Sequence, residues 1–214
     1  MSDRPLRGLR GERVYLRPLE PEDADLVSGW YADDRVRRLM GDLPVSRARR
    51  QQRCEAAVAG DGDDVFRFLI CQLDDDVPVG RTDVFAIDRH NGGCAFGITI
   101  GEPARWGQGL GTDAVNTVVD FCFGELRMER VWLDTDAENL RAQAAYRKAG
   151  FSIEGRLRHA WYGDGRYGDE VRMSILRDEW LALGRRRSWE LLEEPAGRSG
   201  TDVGQPGPGS TAPV

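Results

Sequence analysis

The 214 residues of the chain are enough for one domain or two small ones. A hydrophobic fraction of 40% with 26 glycines is typical of a globular protein, and no apolar run approaches the roughly 18 residues of a membrane span. Thirty basic and 36 acidic residues give a net charge of -6, which disfavours a nucleic-acid partner. Because the first residues also lack the apolar stretch of a secretory signal, we expect a cytoplasmic protein with no membrane partner.

The first half of the chain is predicted to contain two helices and a three-stranded meander. Residues 14–16 read as a short strand, and Pro21 opens a helix in which Val27, Trp30 and Tyr31 share one face. A second helix is predicted over about residues 46–59. Alternating apolar residues then predict strands over about 65–73, 77–87 and 94–100.

The second half of the chain is predicted to alternate helices and strands. Valine, cysteine and leucine at helical spacing predict a helix over about 112–126, and a strand follows at 131–133. Gly150 ends a helix over 140–149, because glycine is favoured just after a helix. Strands are expected at 151–154 and 167–176. This order of elements predicts an α/β domain built on a mixed sheet.

The end of the chain differs in composition from the rest. Residues 194–214 are rich in Gly, Pro, Ser and Thr and carry no large apolar side chain. Such a segment cannot bury enough apolar surface to offset the entropy of ordering. We therefore expect one domain over residues 1–193 and a disordered tail over 194–214.

The four cysteines are expected to be reduced and structural. Cys54, Cys71, Cys94 and Cys122 are widely spaced and form no C-x-x-C pair, and the chain has only two histidines. We therefore expect no metal site.

A glycine-rich segment, W-G-Q-G-L-G-T at residues 106–112, is the first candidate binding feature; we call it the glycine loop. It follows a strand and opens a helix, where free backbone N–H groups favour a phosphate. A merely tight turn is the structural alternative. No lysine precedes Thr112, which excludes a P-loop. An NAD site with Asp134 on the ribose is a further alternative, but the spacing is G-x-G-x-G and three meandering strands come first.

A second candidate feature lies on the helix over 140–149. Asn139, Ala142 and Tyr146 are spaced i, i+3 and i+7, so a small residue separates an amide from a phenol on one face. This face leaves room for a thin ligand. A core-facing stripe that begins with an N-cap asparagine explains the same pattern.

Together, the glycine loop and the pattern N-x-x-A-x-x-x-Y-x-K-x-G-F over residues 139–151 resemble the GNAT superfamily of N-acetyltransferases. Further segments are similar to its RimJ/RimL branch: G-E-R-V-Y-L-R-P at 11–18, W-G at 106–107, G-R-L-R at 155–158, D-G-R-Y at 164–167 and E-W at 179–180. The resemblance covers about residues 9–183. It implies a mixed, mostly antiparallel sheet of about six to seven strands, flanked by about four helices and splayed between its central strands.

The resemblance also implies the reaction: transfer of an acyl group, usually acetyl, from acetyl-CoA to a primary amine by direct attack. Residues 98–100 would pair with the pantetheine arm, the glycine loop would bind the pyrophosphate, Asn139 would hydrogen-bond the coenzyme, and Tyr146 would protonate the departing thiolate. The implied coenzyme-binding residues are Ile98, Thr99, Ile100, Trp106, Gly107, Gln108, Gly109, Leu110, Gly111, Thr112, Asn139 and Tyr146.

The general base is the point at which the chain departs from the resemblance. Many members carry a glutamate just before the position of Gly97, where this chain has Ala95 and Phe96. Glu102 and Asp134, near the ends of two neighbouring strands, are the nearest carboxylates by topology. A water relay or an acceptor that is already neutral are the alternatives.

The acceptor is expected to be an amine bound between the first helices and the last hairpin. Aromatic and acidic residues in these segments suit a cation: Trp30, Tyr31, His159, Tyr162 and Asp164. A protein N-terminus or a small amine such as a polyamine or an aminoglycoside would fit, and the resemblance also allows a homodimer. A non-catalytic coenzyme A sensor is the alternative from another class, against which Tyr146 argues.

Overall fold

An eight-stranded mixed sheet forms the centre of the computed structural model, which describes residues 8–40, 45–59, 64–163 and 165–192. Its strands are β1 (Leu9–Arg10), β2 (Val14–Pro18), β3 (Phe66–Gln72), β4 (Pro78–Asp88), β5 (Gly93–Ile100), β6 (Arg130–Asp136), β7 (Ser152–Gly163) and β8 (Arg166–Leu176). The helices are α1 (Ala24–Trp30), α2 (Asp34–Leu39), α3 (Arg47–Ala59), α4 (Leu110–Gly124), α5 (Leu140–Lys148), α6 (Arg177–Ala182) and α7 (Ser188–Leu192). The strand order is β1-β2-β3-β4-β5-β6-β8-β7.

The topology confirms the predicted α/β class and its mostly antiparallel sheet. Every neighbouring pair of strands is antiparallel except β5 and β6, which run parallel. The described part has eight strands instead of six or seven, because the two residues of β1 are too few to show alternation. The short helices α2, α6 and α7 were also not predicted. Asp33 starts α2 by accepting a hydrogen bond from the Arg35 N–H at 2.8 Å.

Helices cover both faces of the sheet. On β2, Val14 and Leu16 point into the main core with the predicted apolar stripe of α4, which includes Val118 and Cys122. Tyr15 points to the other face, where α1 and α3 pack. This alternation follows from the two-residue period of a strand, and it places α4 directly beside the ends of β5 and β6.

One buried carboxylate fastens the turn between β1 and β2 to the first turn of α4. The Asp113 carboxylate accepts hydrogen bonds from the backbone N–H groups of Glu12 at 3.1 Å, Arg13 at 2.8 Å and Val14 at 2.9 Å. A Cβ at Gly11 would lie 2.5 Å from Asp113 Oδ2, so this close approach requires glycine. The segment G-E-R-V therefore holds the helix that follows the glycine loop.

Removing this carboxylate is expected to destabilise the fold. We expect Asp113→Ala to lower the free energy of unfolding by about 3 kcal/mol, because three N–H donors lose a charged acceptor. Urea denaturation measures the loss. The matched variant Asp113→Asn keeps one acceptor oxygen and is expected to lose less; equal stability of Asp113→Ala and the unmodified chain would contradict this role.

The last described segment is tied to α4 by a second buried carboxylate. Asp120 is 1% exposed and accepts hydrogen bonds from Trp180 Nε1 at 2.8 Å, Arg185 Nη2 at 2.6 Å and the Ser188 N–H at 2.9 Å. These bonds make α6 and α7 part of the domain. The expected tail, residues 194–214, lies outside the described residues, so the boundary at 193 stays a prediction.

The four thiols are free and buried, as predicted. Burial raises the pKa of Cys54, Cys71 and Cys122, which keeps these thiols protonated. Within the described ranges, no three His, Cys, Asp or Glu side chains gather in a metal-binding group. None of the described helices combines the length and apolar character needed to cross a membrane.

Candidate active site

The parallel strands β5 and β6 separate and leave a cleft between them. They pair only at Gly93 with Arg130, Cys94 with Val131 and Ala95 with Trp132. Beyond these pairs a cavity of about 550 Å³ opens, lined by Phe96–Ile100 of β5 and residues 134–136 of β6. The β5 backbone in this stretch has a partner strand only on the β4 side. Its other edge is therefore available to an extended ligand arm.

The glycine loop closes one end of the cleft. Gly107 and Gly109 have φ angles of 78° and 83°, in the left-handed region that favours glycine. Gly109 is the N-cap of α4, so the N–H groups of Leu110–Thr112 begin the helix without an acceptor inside it. Among the described residues, and apart from its two neighbours in sequence, nothing comes within 4 Å of a Cβ built at Gly107. The loop thus presents backbone donors and a positive helix end to a space in which a phosphate fits.

Side chains on both sides hold the glycine loop in place. Trp106 Nε1 donates to the last carbonyl of β5, Ile100 O, at 2.9 Å, and the Arg141 guanidinium lies 4.1 Å from the centre of the indole ring. Arg13 Nη1 donates to Gln108 O at 2.9 Å. Arg141 also lines the cleft and brings positive charge to this end of it. These contacts suit an anionic ligand.

Asn139, Ala142 and Tyr146 all line the cleft, as the spacing on α5 predicts. The N-cap interpretation of Asn139 is confirmed as well, because its Oδ1 accepts a hydrogen bond from the Ala142 N–H at 3.1 Å. The small Ala142 leaves the space between the amide and the phenol. The capping role of Asn139 is thus shown, and the binding of a thin ligand on this face stays a prediction.

Tyr146 combines a buried ring with a hydroxyl that has no partner in the described part of the chain. The ring centre lies 6.2 Å from that of Phe96, nearly edge-on, and 6.1 Å from that of Phe151. Burial raises the pKa of Tyr146 to about 12. The hydroxyl is therefore protonated at neutral pH and free to donate to a ligand in the cleft.

Both carboxylates predicted as general base already have partners. Glu102 is not among the residues that line the cleft, and its Oε1 accepts a hydrogen bond from Trp30 Nε1 at 3.0 Å. Asp134 does line the cleft, but Arg172 binds both of its oxygens at 2.9 and 2.7 Å. Both oxygens of Asp134 are therefore occupied by the Arg172 guanidinium.

The described residues that were predicted to bind the acceptor do not line the cleft, although neighbouring residues do. Trp30 is 4% exposed and packs against Gly101, and Tyr31 lines a separate cavity of about 140 Å³. His159 stacks on Tyr167, and Tyr162 is 59% exposed. Asp164 lies outside the described residues. The cleft is lined instead by residues of α2 and its end, by β7 and by β8: Val36, Arg38, Leu39, Met40, Trp161 and Glu170.

Sequence reasoning missed the acidic residues beside Asp134. Asp136 and Glu170 also line the cleft, opposite each other on β6 and β8. The available signal was alternation: Asp134 and Asp136 share a face of β6, as Glu170 and Arg172 share a face of β8. The β6–β8 wall therefore adds negative charge to a cleft that Arg38, Arg105 and Arg141 also line.

Comparison with known families and proteins gives a consistent assignment. A family described as "Acetyltransferase (GNAT) domain" matches residues 13–152. Spermidine N(1)-acetyltransferase of Escherichia coli (strain K12) is 30% identical over 194 residues, which cover 86% of this chain and 96% of the relative. The uncharacterized N-acetyltransferase p20 of Bacillus licheniformis is 30% identical over 174 residues, 79% of this chain and 96% of that protein.

Solved structures share the fold. A spermidine N-acetyltransferase from Vibrio cholerae, crystallised with CoA and spermine, superposes with a TM-score of 0.71 at 24% identity. The match covers 78% of this chain and 98% of the other. At this identity, the similarity establishes the fold alone.

Proposed function

The chain belongs to the GNAT acetyltransferase family, and we propose that it moves the acetyl group of acetyl-CoA directly to a primary amine held in the cleft between β5 and β6. The observation that carries the proposal is the cleft itself. It joins a strand edge that β6 leaves uncovered, the N-terminus of α4 and a phenol with no hydrogen-bond partner among the described residues. Each of these three features would bind a different part of acetyl-CoA.

The residues present fit the coenzyme. Backbone N–H groups of Gly107–Gly111 would hold the pyrophosphate, where both the loop glycines and the α4 N-terminus favour negative charge. The free edge of Ile98–Ile100 would pair with the amides of the pantetheine arm, and Asn139 would lie beside that arm. Acetyl-CoA supplies a thioester whose carbonyl carbon is attacked by the amine.

Tyr146 would serve as the general acid. A thiolate leaving group needs a proton donor. The Tyr146 hydroxyl is protonated, lies on the cleft wall and has no partner in the part of the chain that the structure describes. Backbone N–H groups on the free edge of β5 would hydrogen-bond the developing oxyanion. A coenzyme A sensor would have no use for such an acid, which favours catalysis over that alternative.

We propose a cationic acceptor, and the carboxylates of Asp136 and Glu170 on the cleft wall support this. Within the family, the chain would fall in the RimJ/RimL-like branch, whose acceptor is a protein N-terminus. A polyamine is the second candidate, favoured by the E. coli relative named spermidine N(1)-acetyltransferase. Both acceptors carry a primary ammonium group that fits the same wall.

A direct assay tests the proposal. Purified protein is mixed with acetyl-CoA and a panel of amines: spermidine, spermine, an aminoglycoside and short peptides with free N-termini. We expect release of free thiol to depend on the amine, and mass spectrometry to show acetylated product. Slow hydrolysis unaffected by every amine would favour the sensor. Calorimetry that detects NAD binding and no coenzyme A binding would favour the dinucleotide alternative.

A further inference from the structure

We propose that Glu170 is the general base, which takes a proton from the ammonium group of the acceptor directly or through one water molecule. The inference rests on the proposed acetyl transfer. It assigns the role for which Glu102 and Asp134 were predicted, and which their hydrogen bonds to Trp30 and Arg172 oppose.

The register of β6 and β8 places Glu170 in the cleft. Asp134 pairs with Arg172 and Asp136 pairs with Glu170, so all four side chains lie on one face of the sheet. The indole of Trp161 lies on the same face of β8, since a Cβ at Gly168 would fall 2.4 Å from it. Trp161, Glu170 and Tyr146 all line the same cavity.

The charged groups that face Glu170 compensate its negative charge only in part. From β6 it faces Asp134 and Asp136, from β8 it faces Arg172, and its partner on β7 is the apolar Leu157. Arg172 is committed to Asp134 through two hydrogen bonds. Across the cavity stands the uncharged phenol of Tyr146.

Asp136 has a partner of its own, and Glu170 has none. Asp136 accepts a hydrogen bond from the Glu138 N–H at 2.8 Å. Within the described ranges, Glu170 makes neither a hydrogen bond nor an ion pair. Like charges directly opposite each other in an antiparallel pair are unfavourable, and a bound cation or a proton relieves the repulsion.

The proton affinity of Glu170 suits this role. Burial, and then the negative charges of Asp134 and Asp136, raise the pKa of the Glu170 carboxyl, and Arg172 opposes them only in part. A raised pKa makes a carboxylate a stronger base, closer in proton affinity to what catalysis at neutral pH requires. The same charges attract an ammonium group to the wall.

Glu170 and Tyr146 would move one proton each during acetyl transfer. Glu170 takes one proton from the ammonium nitrogen, whose freed electron pair forms the C–N bond at the thioester carbon. The C–S bond breaks and its electron pair stays on sulfur, which takes the Tyr146 proton. The surplus proton on the new amide nitrogen restores the tyrosine, and Glu170 releases its proton to solvent.

The test compares Glu170→Gln with the unmodified protein across pH. We expect kcat/KM for the amine at pH 7 to fall about 100-fold, with coenzyme A affinity unchanged and Tm unchanged or higher. In the unmodified protein, kcat/KM falls on the acid side as Glu170 is protonated. In the variant the break set by Glu170 is lost, and kcat/KM rises about tenfold per pH unit up to the pKa of the amine itself, because only amine already neutral in solution reacts.

Asp136→Asn is the matched control on the same wall. It keeps the oxygen that accepts from Glu138, removes one negative charge next to Glu170, and is expected to keep the acid limb but shift it to lower pH. An unchanged acid limb in Glu170→Gln would overturn the assignment of the base while leaving acetyl transfer intact. Absence of amine-dependent thiol release from the unmodified protein would instead overturn the proposed function.

Discussion

A Tyr146→Phe variant is expected to lose about 10²–10⁴-fold in kcat while its coenzyme A affinity and Tm change little. The substitution removes one oxygen and keeps the ring against Phe96 and Phe151. Because the hydroxyl has no partner among the described residues, its removal leaves no donor or acceptor of the protein unsatisfied. The effect should therefore fall on the departing thiolate and not on the fold.

Steady-state measurement of kcat and thermal melting to obtain Tm, both on the same preparation, test this prediction. Tyr167→Phe is the matched control, since it removes the same oxygen from a 62% exposed tyrosine of the last hairpin. We expect this control to keep both its kcat and its Tm. A Tyr146→Phe protein that is destabilised by about 1–3 kcal/mol yet turns over normally would show that the hydroxyl is structural.

The pH profile offers an independent check of the acid. With a pKa of about 12, Tyr146 stays protonated through the neutral range, so its ionisation should produce no alkaline loss of activity below about pH 11. We then expect kcat/KM to fall only on the acid side, as the proposed base Glu170 is protonated. An alkaline limb near pH 8 that disappears in Tyr146→Phe would contradict the pKa of this group.

The local features of the site could be predicted from the sequence. The glycine loop is a contiguous segment, and the face of Asn139, Ala142 and Tyr146 follows from helical spacing on one element. Both features line the cleft. Both could be predicted because each depends only on neighbours within a few residues. The meander of β3, β4 and β5 was equally accessible, since hairpins join neighbours in sequence.

Features that depend on pairing between distant segments could not be predicted in the same way. Glu170 faces Asp136 only through the register of β6 and β8, which are 34 residues apart at this pair. The length of β7 was underestimated because this edge strand is exposed along much of both faces and shows no alternation. Trp30 was predicted at the acceptor and packs on Gly101 instead, a contact that aromatic spacing on a helix cannot reveal.

We expect Gly109→Asp to weaken coenzyme A binding about 100-fold. Two unit charges 4 Å apart repel by about 1 kcal/mol in water and about 4 kcal/mol near a protein surface, and the pyrophosphate would lie at this end of α4. The introduced side chain would start 3.8 Å from Arg13 Nη1, so an aspartate there would also compete with the phosphate for this guanidinium. Calorimetry with coenzyme A, repeated at high salt, measures the loss and its screening.

The control for Gly109→Asp is Gly109→Asn, which has nearly the same size and shape but no charge. Asparagine and aspartate both tolerate the left-handed conformation that the φ of 83° requires, so both variants carry similar backbone strain. We expect Gly109→Asn to bind coenzyme A within about tenfold of the unmodified protein, because a neutral amide there repels no phosphate. Equal losses in the two variants would show that side-chain bulk blocks the loop. Unchanged binding in both would place the pyrophosphate somewhere other than at the N-terminus of α4.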